Sequence, residues 1–325
     1  AVAEIEEGKF AVAFSSGMAA IHAALFACEL APGSVVLASQ DLYGASFDLL
    51  KKIFGSFGVK TKTADFTDLA SLPAIVAELR PRALLAETIS NPLLKICDIA
   101  KIAAIAHENG AKLVVDNTFA SPLLCRPLSL GADFSVHSTT KYLGGHADST
   151  GGIVISRDEA DKPTLDGVKK LVGGVLSVWE AHQILRGIKT LGLRQEKQCR
   201  NAAILAERLT ANESIARVYY PLLDESELAG KVLHGGFGGA LVTIKLRQDT
   251  RDAAWKFMDA LKLCIRATSL GDVYTLVSHS AASSHRELSP KKRADLGITD
   301  SIVRISVGIE DVSDIADDIE QALRT

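Results

Sequence analysis

From Phe10 to Ser156 the chain alternates short apolar runs with segments whose apolar residues recur at helical spacing. "AVAF" precedes "MAAIHAALFACEL", and "SVVLAS" precedes the stretch around "SFDLLKKIFGSFG". "ALLAETI", "DIAKIAAIAHENG", "AKLVVDN" and "DFSVHS" continue the pattern. Runs rich in Val, Ile and Leu without polar alternation predict strands buried on both faces, and helices between such strands predict a mostly parallel, helix-covered sheet. In sheets of this kind ligands gather beyond the carboxyl ends of the strands. Glu87, Asp116, Asn117 and Ser138 each follow an apolar run and so fall at that edge.

After "GIVIS" the pattern changes. A long helical region covers "SVWEAHQILRGIKTLGLRQEKQCRNAAILAERL", followed by fewer strands, "ARVYYP", "GALVTIKL", "CIRATS" and "IVRISVGI", with helices between them. This predicts a large α/β domain over residues 1–191 and a smaller α+β domain over residues 192–325. No internal repeat or low-complexity segment interrupts either.

Composition narrows the function classes. Of 325 residues 47% are apolar, yet no uninterrupted apolar run is long enough to span a bilayer. The start, "AVAEIEEGKF", lacks the basic flank and apolar centre of an export signal. A net charge of −3 gives no electrostatic reason to bind nucleic acid. Five scattered cysteines, never in C-x-x-C spacing, read as buried thiols in a reducing compartment. The expectation is a cytoplasmic protein with no membrane or nucleic-acid partner. Clustered His and Cys ligands are missing from the sequence, so no metal is expected.

The motifs are weak singly. "FSSGMAAI" places Gly17 and Met18 at the opening of a helix, where unpartnered amides bind anions; an ordinary serine cap reads the same way. Asp116 in "KLVVDNTF" follows a buried strand, as a turn residue or as a carboxylate needing a cation. Tyr43 in "DLYGASF" reads as a rim aromatic or as a stacking ring with an acidic phenol. Asn91 precedes Pro92 and reads as a turn residue. Arg304, set among Ile, Val and Ile, must snorkel or bind an anion such as a carboxylate. Lys141 follows Ser138, Thr139 and Thr140 and precedes a glycine pair. Together these supply what pyridoxal 5'-phosphate requires: a Schiff-base lysine, a carboxylate for the ring nitrogen, and donors for the phosphate.

In this order, "FSSGMAAI", "DLYGASF", "ETISNP", "VVDNTF", "HSTTKYLGGHAD", "LRGIKTL", "RATSLGD" and "VRISVGIED" resemble the Cys/Met-metabolism (trans-sulfuration) pyridoxal-phosphate enzymes over essentially the whole chain. The resemblance implies the type I aspartate-aminotransferase fold. It also implies that Lys141 carries the cofactor, Asp116 pairs with the pyridine nitrogen and Tyr43 stacks on the ring. Gly17 and Met18 amides, with Ser138 and Thr140 hydroxyls, hold the phosphate. Asn91 lies near the cofactor's phenolic oxygen, and Arg304, aided by Ser269, grips the carboxylate of an amino-acid substrate.

The implied reaction is γ-elimination or γ-replacement on sulfur-containing or O-acylated homoserine derivatives, with Lys141 moving protons and Tyr43 protonating the leaving thiolate. Family members acting on cystathionine commonly carry a glutamate where this chain has Thr268, and methionine γ-lyases typically carry a cysteine where it has Ala45. Asp272 matches methionine γ-lyases and acyl-homoserine sulfhydrylases. A substrate with an uncharged distal end is therefore expected, as in methionine γ-lyase. The alternatives are O-acetyl- or O-succinylhomoserine sulfhydrylase, cystathionine γ-synthase or γ-lyase, and, in a different class, a weakly active pyridoxal-phosphate-binding regulator. The family further implies a homodimer or homotetramer with shared active sites. Its members reach a neighbour's phosphate with a Tyr and an Arg upstream of "FSSGMAA", so a version extended by such a segment is expected to bind cofactor more tightly.

Overall fold

The computed structural model describes residues 1–286 and 288–324. The apolar runs of the first half become seven strands: β1 (Phe10–Phe14), β2 (Val35–Ser39), β3 (Lys60–Ala64), β4 (Ala83–Glu87), β5 (Lys112–Asp116), β6 (Phe134–Ser138) and β7 (Gly152–Ser156). They form one sheet in the order β1-β7-β6-β5-β4-β2-β3. All pairings from β6 through β3 are parallel; β7 alone runs against its neighbours β1 and β6.

Every residue of β4 is buried, as a strand covered on both faces requires. β3, reading "KTKTA", is mostly exposed and closes the sheet with lysines, which discourage pairing with another chain. The helix Gly17–Phe26 packs on β6 and β7, and its Ile21 and Leu25 join Phe14, Leu85, Val114, Phe134 and Val136 in the core. Because β2, β4, β5 and β6 run in one direction, their last residues share one edge. Within it Glu87 is in register with Asp116, and Asp116 with Val136.

This sheet belongs to a unit formed by Ala1–Ser90 and Ile96–Lys189. A second unit comprises Thr190–Thr325 with the short excursion Asn91–Lys95. Its strands are β8 (Ile215–Tyr219), β9 (Leu241–Leu246), β10 (Ile265–Arg266), β11 (Leu276–His279) and β12 (Ile302–Ser306), ordered β10-β11-β12-β9-β8. All its pairings are antiparallel except β10 with β11. The helices Leu191–Thr210, Arg251–Asp259 and Val312–Ala322 bury Leu205, Phe257, Ile315 and Ile319 with Val242, Ile244, Val303 and Ile305 of the sheet.

Two local features depart from the pattern read above. The long helical stretch is two helices, Val178–Ile188 and Leu191–Thr210, because Thr190 leaves helical geometry at φ −113° and ψ 6°. β11 is a four-residue buried strand, too short for its periodicity to stand out. Among the described residues no helix is long and apolar enough to cross a membrane.

Candidate active site

The helix Gly17–Phe26 begins on Ser16, whose Oγ accepts the Ala19 amide at 3.1 Å, and its first internal bond runs from Ala20 N to Ser16 O. The Gly17 and Met18 amides therefore lie in the first turn, where helix donors lack internal acceptors. Space also demands glycine at this point. A Cβ on Gly17 would stand 2.8 Å from Ser138 Cβ, and one on Gly152 would stand 2.1 Å from the Ser16 carbonyl oxygen. The end of β6 thus meets the helix start at backbone range, bringing Gly17 and Ser138 together.

Asp116 closes β5. Its Oδ1 accepts the Thr118 amide at 3.0 Å and the Thr118 hydroxyl at 2.5 Å, and Thr118 Oγ1 in turn accepts the Ser138 amide at 2.9 Å. The residue is half-buried, with its carboxyl surrounded by protein atoms. Burial pushes its pKa above the ordinary carboxylate range, against the opposing pull of the Thr118 hydrogen bonds and the His137 ring.

Lys141 follows β6 by three residues in a turn closed by Lys141 N to Ser138 O at 3.1 Å and Gly145 N to Lys141 O at 2.7 Å. The Thr140 hydroxyl accepts the Gly151 amide at 3.1 Å, tying this turn to the start of β7. Tyr43 precedes the short helix Gly44–Asp48 and is 43% exposed; its backbone amide donates to Glu87 Oε1 at 2.7 Å.

A buried network lies behind these residues. His137 Nε2 meets Glu6 Oε1 at 2.5 Å, and the Asn117 amide group donates to the same Glu6 oxygen at 3.0 Å and to Cys125 O at 2.8 Å. Thr88 Oγ1 donates to Asn117 Oδ1 at 2.7 Å. Sequence reasoning assigned none of Thr118, Glu6, Thr88 or His137. The available signal was their polarity beside apolar runs, which does not say which of them meet.

The second unit gathers the other assigned residues. Arg304 on β12 is buried; its Nη1 donates to Asn91 Oδ1 at 3.0 Å and its Nη2 to the Ser269 carbonyl at 3.2 Å. His285, also buried, hydrogen-bonds the Asn91 backbone, and burial with the Arg304 charge pushes its pKa down to about 4. The loop carrying Ser269 is fastened by Gln198 Nε2 to Asp272 O at 2.6 Å and by Gly271 N to Ser306 Oγ at 2.9 Å. Asn91, read from sequence beside Glu87 in one motif, is divided from it: Glu87 belongs to the first unit and Asn91 to the second. His285 and Gln198 carried no signal beyond their residue types.

Residues 1–324 match the family described as Cys/Met metabolism PLP-dependent enzyme. The chain belongs to that family. It is 42% identical over 328 residues to the L-methionine gamma-lyase of Pseudomonas deceptionensis, covering 99% of this chain and 81% of the relative. It is 41% identical over 325 residues to the cystathionine gamma-synthase of Mycobacterium bovis, covering 99% and 82%. The crystal structure of cystathionine gamma synthase from Xanthomonas oryzae pv. oryzae in complex with cystathionine superposes with a TM-score of 0.94 at 37% identity, covering 99% of this chain and 83% of that one. The fold is accordingly that of the type I pyridoxal-phosphate enzymes, with a large mixed, mainly parallel sheet domain and a smaller C-terminal domain. The chain is an enzyme of the trans-sulfuration type, whose family chemistry is pyridoxal-phosphate-dependent elimination or replacement at the γ-carbon of sulfur amino acids.

The first unit suits this family's cofactor. Burial disfavours the charge on Asp116, and a cation beside it, such as a protonated ring nitrogen, would offset that penalty. The first-turn amides at Gly17 and Met18 match a phosphate.

Proposed function

We propose that this chain catalyses pyridoxal-phosphate-dependent γ-elimination on an amino acid with an uncharged sulfur-bearing side chain, in the manner of a methionine γ-lyase. The observation that carries the reading is Asp116: a half-buried carboxyl group at the end of a central strand, braced by Thr118, one strand away from the strand that Lys141 follows. When bound, the cofactor supplies an electron sink that acidifies the hydrogen on the substrate Cα.

The protein's own groups then divide the work. The Gly17 and Met18 amides and the Ser138 and Thr140 hydroxyls bind phosphate. Lys141 would hold the cofactor through Nζ, and the same nitrogen would carry protons at the substrate's Cα and Cβ. Asp116 keeps the proton on the ring nitrogen. Tyr43 would lie against the ring, and its Oη would protonate the departing sulfur. Asn91 assists at the phenolic oxygen while bonded to Arg304, and Arg304 with Ser269 binds the substrate carboxylate. Arginine's planar fork matches a carboxylate, and the Asn91 and Ser269 contacts set the plane of that fork.

Support for an uncharged distal group comes from Thr268, which is exposed and offers no charge partner. The methionine-acting relative points the same way. A homodimer or homotetramer is supported by exposed apolar residues along one stretch of the first unit, Leu171, Val172, Val175, Val178 and Trp179, which water alone would cover poorly. Cys28, Cys97, Cys125, Cys199 and Cys264 are buried and form no disulfides, in keeping with a cytoplasmic setting.

The test is a steady-state comparison of methionine, cystathionine, and O-acetylhomoserine with sulfide. Methionine is expected to give keto acid, ammonia and thiol. A preference for cystathionine of more than about tenfold in kcat/KM, or about 1.4 kcal/mol of transition-state stabilisation, would overturn the substrate reading. Preferred turnover of O-acetylhomoserine with sulfide would convert the reading to γ-replacement.

A further inference from the structure

We propose that Glu87 is a positioning residue for Tyr43, an inference that rests on the functional reading above in giving Tyr43 a role at the ring. Glu87 ends β4, is 7% exposed, and accepts the Tyr43 backbone amide at 2.7 Å across a separation of 44 residues. A carboxylate is costly to bury unless hydrogen bonds or charges compensate. Here one Glu87 oxygen takes the backbone amide of Tyr43, an aromatic residue just ahead of a short helix.

The geometry explains what this contact does. Tyr43 is held from both sides of its Cα: the amide goes to Glu87, and the carbonyl accepts Ser46 N at 2.9 Å as the following helix begins. Fixing both flanking peptide planes fixes the direction of the Cα–Cβ bond, while the residue as a whole stays 43% exposed. A half-exposed ring aimed by its backbone is suited to lie on a planar ligand. Glu87 also stands in register with Asp116, so their side chains project from the same face of neighbouring strands, about 4.8 Å apart at the backbone. The stacking ring is therefore referenced to the strand beside the carboxylate assigned to the ring nitrogen.

The test compares the full-length chain, with and without added pyridoxal phosphate, as wild type, Glu87→Ala, Glu87→Gln and Glu87→Asp. Amide hydrogen exchange at residues 41–47 reports the anchor without any cofactor. Cofactor affinity and visible circular dichroism report ring placement. In Glu87→Ala, exchange at the Tyr43 amide is expected to rise and cofactor affinity to fall, each by about tenfold, as for loss of a hydrogen bond to a charged acceptor. Glu87→Gln keeps an oxygen in place and is expected to move both by less than about threefold. In a Tyr43→Ala background, Glu87→Ala is expected to add less than about twofold, because the two act as one unit.

Unchanged exchange in Glu87→Ala overturns the proposal, and so does a full additional loss of affinity in the Tyr43→Ala background. If Glu87→Ala does not fold, the other two variants decide. Asp is too short to reach and is expected to lose cofactor affinity where Gln does not; equal affinities overturn the proposal. A wild-type chain that develops no visible band with pyridoxal phosphate would instead count against the functional reading, while the exchange measurement would still judge the Glu87–Tyr43 anchor.

Discussion

Thr118 donates its hydroxyl to Asp116 Oδ1 at 2.5 Å while accepting the Ser138 amide at 2.9 Å on the same oxygen. One side chain thus links the carboxylate at the end of β5 to the backbone at the end of β6, the strand that leads to Lys141. The carboxylate assigned to the ring nitrogen and the turn assigned to the phosphate and the reactive amine share a rigid hinge of two hydrogen bonds.

Asp116 opposes stability to function. Its folded-state pKa is raised by burial, so between the unfolded value of 3.8 and the higher folded value the native state binds more protons than the unfolded state. The stabilising contribution is present at low pH and is lost as pH rises through the folded pKa. Asp116→Asn is therefore expected to make the cofactor-free protein more heat-stable than wild type at neutral pH, with the difference shrinking at acid pH. Turnover is expected to fall because the ring nitrogen loses its counter-charge. Thermal unfolding against pH, with α-deuteron exchange of the substrate, checks both; unchanged α-exchange contradicts the role.

Lys141→Ala should abolish the visible band given by added pyridoxal phosphate and lower turnover by roughly a thousandfold, the scale of removing a proton-transfer group. Absorbance after removal of free amines reads the first effect directly. A persisting band would assign the amine elsewhere.

Gly17→Ala forces a methyl against Ser138 Cβ at 2.8 Å, and the obstacle includes backbone that cannot swing aside. The expected cost is about 1–3 kcal/mol of stability for the cofactor-free protein, as for overpacking elsewhere, together with weaker cofactor binding. Urea unfolding and cofactor titration of the same preparation measure the pair of effects.

His285 gives a pH dependence of the opposite sign. Its pKa falls from 6.5 to about 4 through burial and the Arg304 charge, with Arg293 adding to the fall and the Asn91 backbone opposing it. A depressed folded pKa means that the stability is fully present above 6.5 and is lost as pH drops toward 4. The loss is at most about 3 kcal/mol. His285→Gln, which carries no proton to gain, is expected to flatten this limb in urea-unfolding free energies measured between pH 7 and 4.

What the sequence by itself determined follows from local properties. Buried parallel strands betray themselves as unbroken Val, Ile and Leu runs, so "VVLAS", "ALLAE" and "KLVVD" are readable as strands from composition and length. Once strands run one way, the residue after each must lie at a common edge, which is why Asp116, Ser138 and Lys141 stood out. Arg304 stood out because a guanidinium among Ile and Val needs a reason.

Tertiary structure alone decided who meets whom. Glu6 reaches His137 across 131 residues, Tyr43 reaches Glu87 across 44, and Arg304 reaches Asn91 across 213. The transfer of Asn91–Lys95 to the second unit, one residue after Ser90, left no trace in the alternation of elements. Such pairings depend on register between distant strands and on which loop folds against which sheet. Periodicity records only which face of its own element a residue occupies, and the hydrogen-bond partner on the other side of that face is set by the packing of the whole unit.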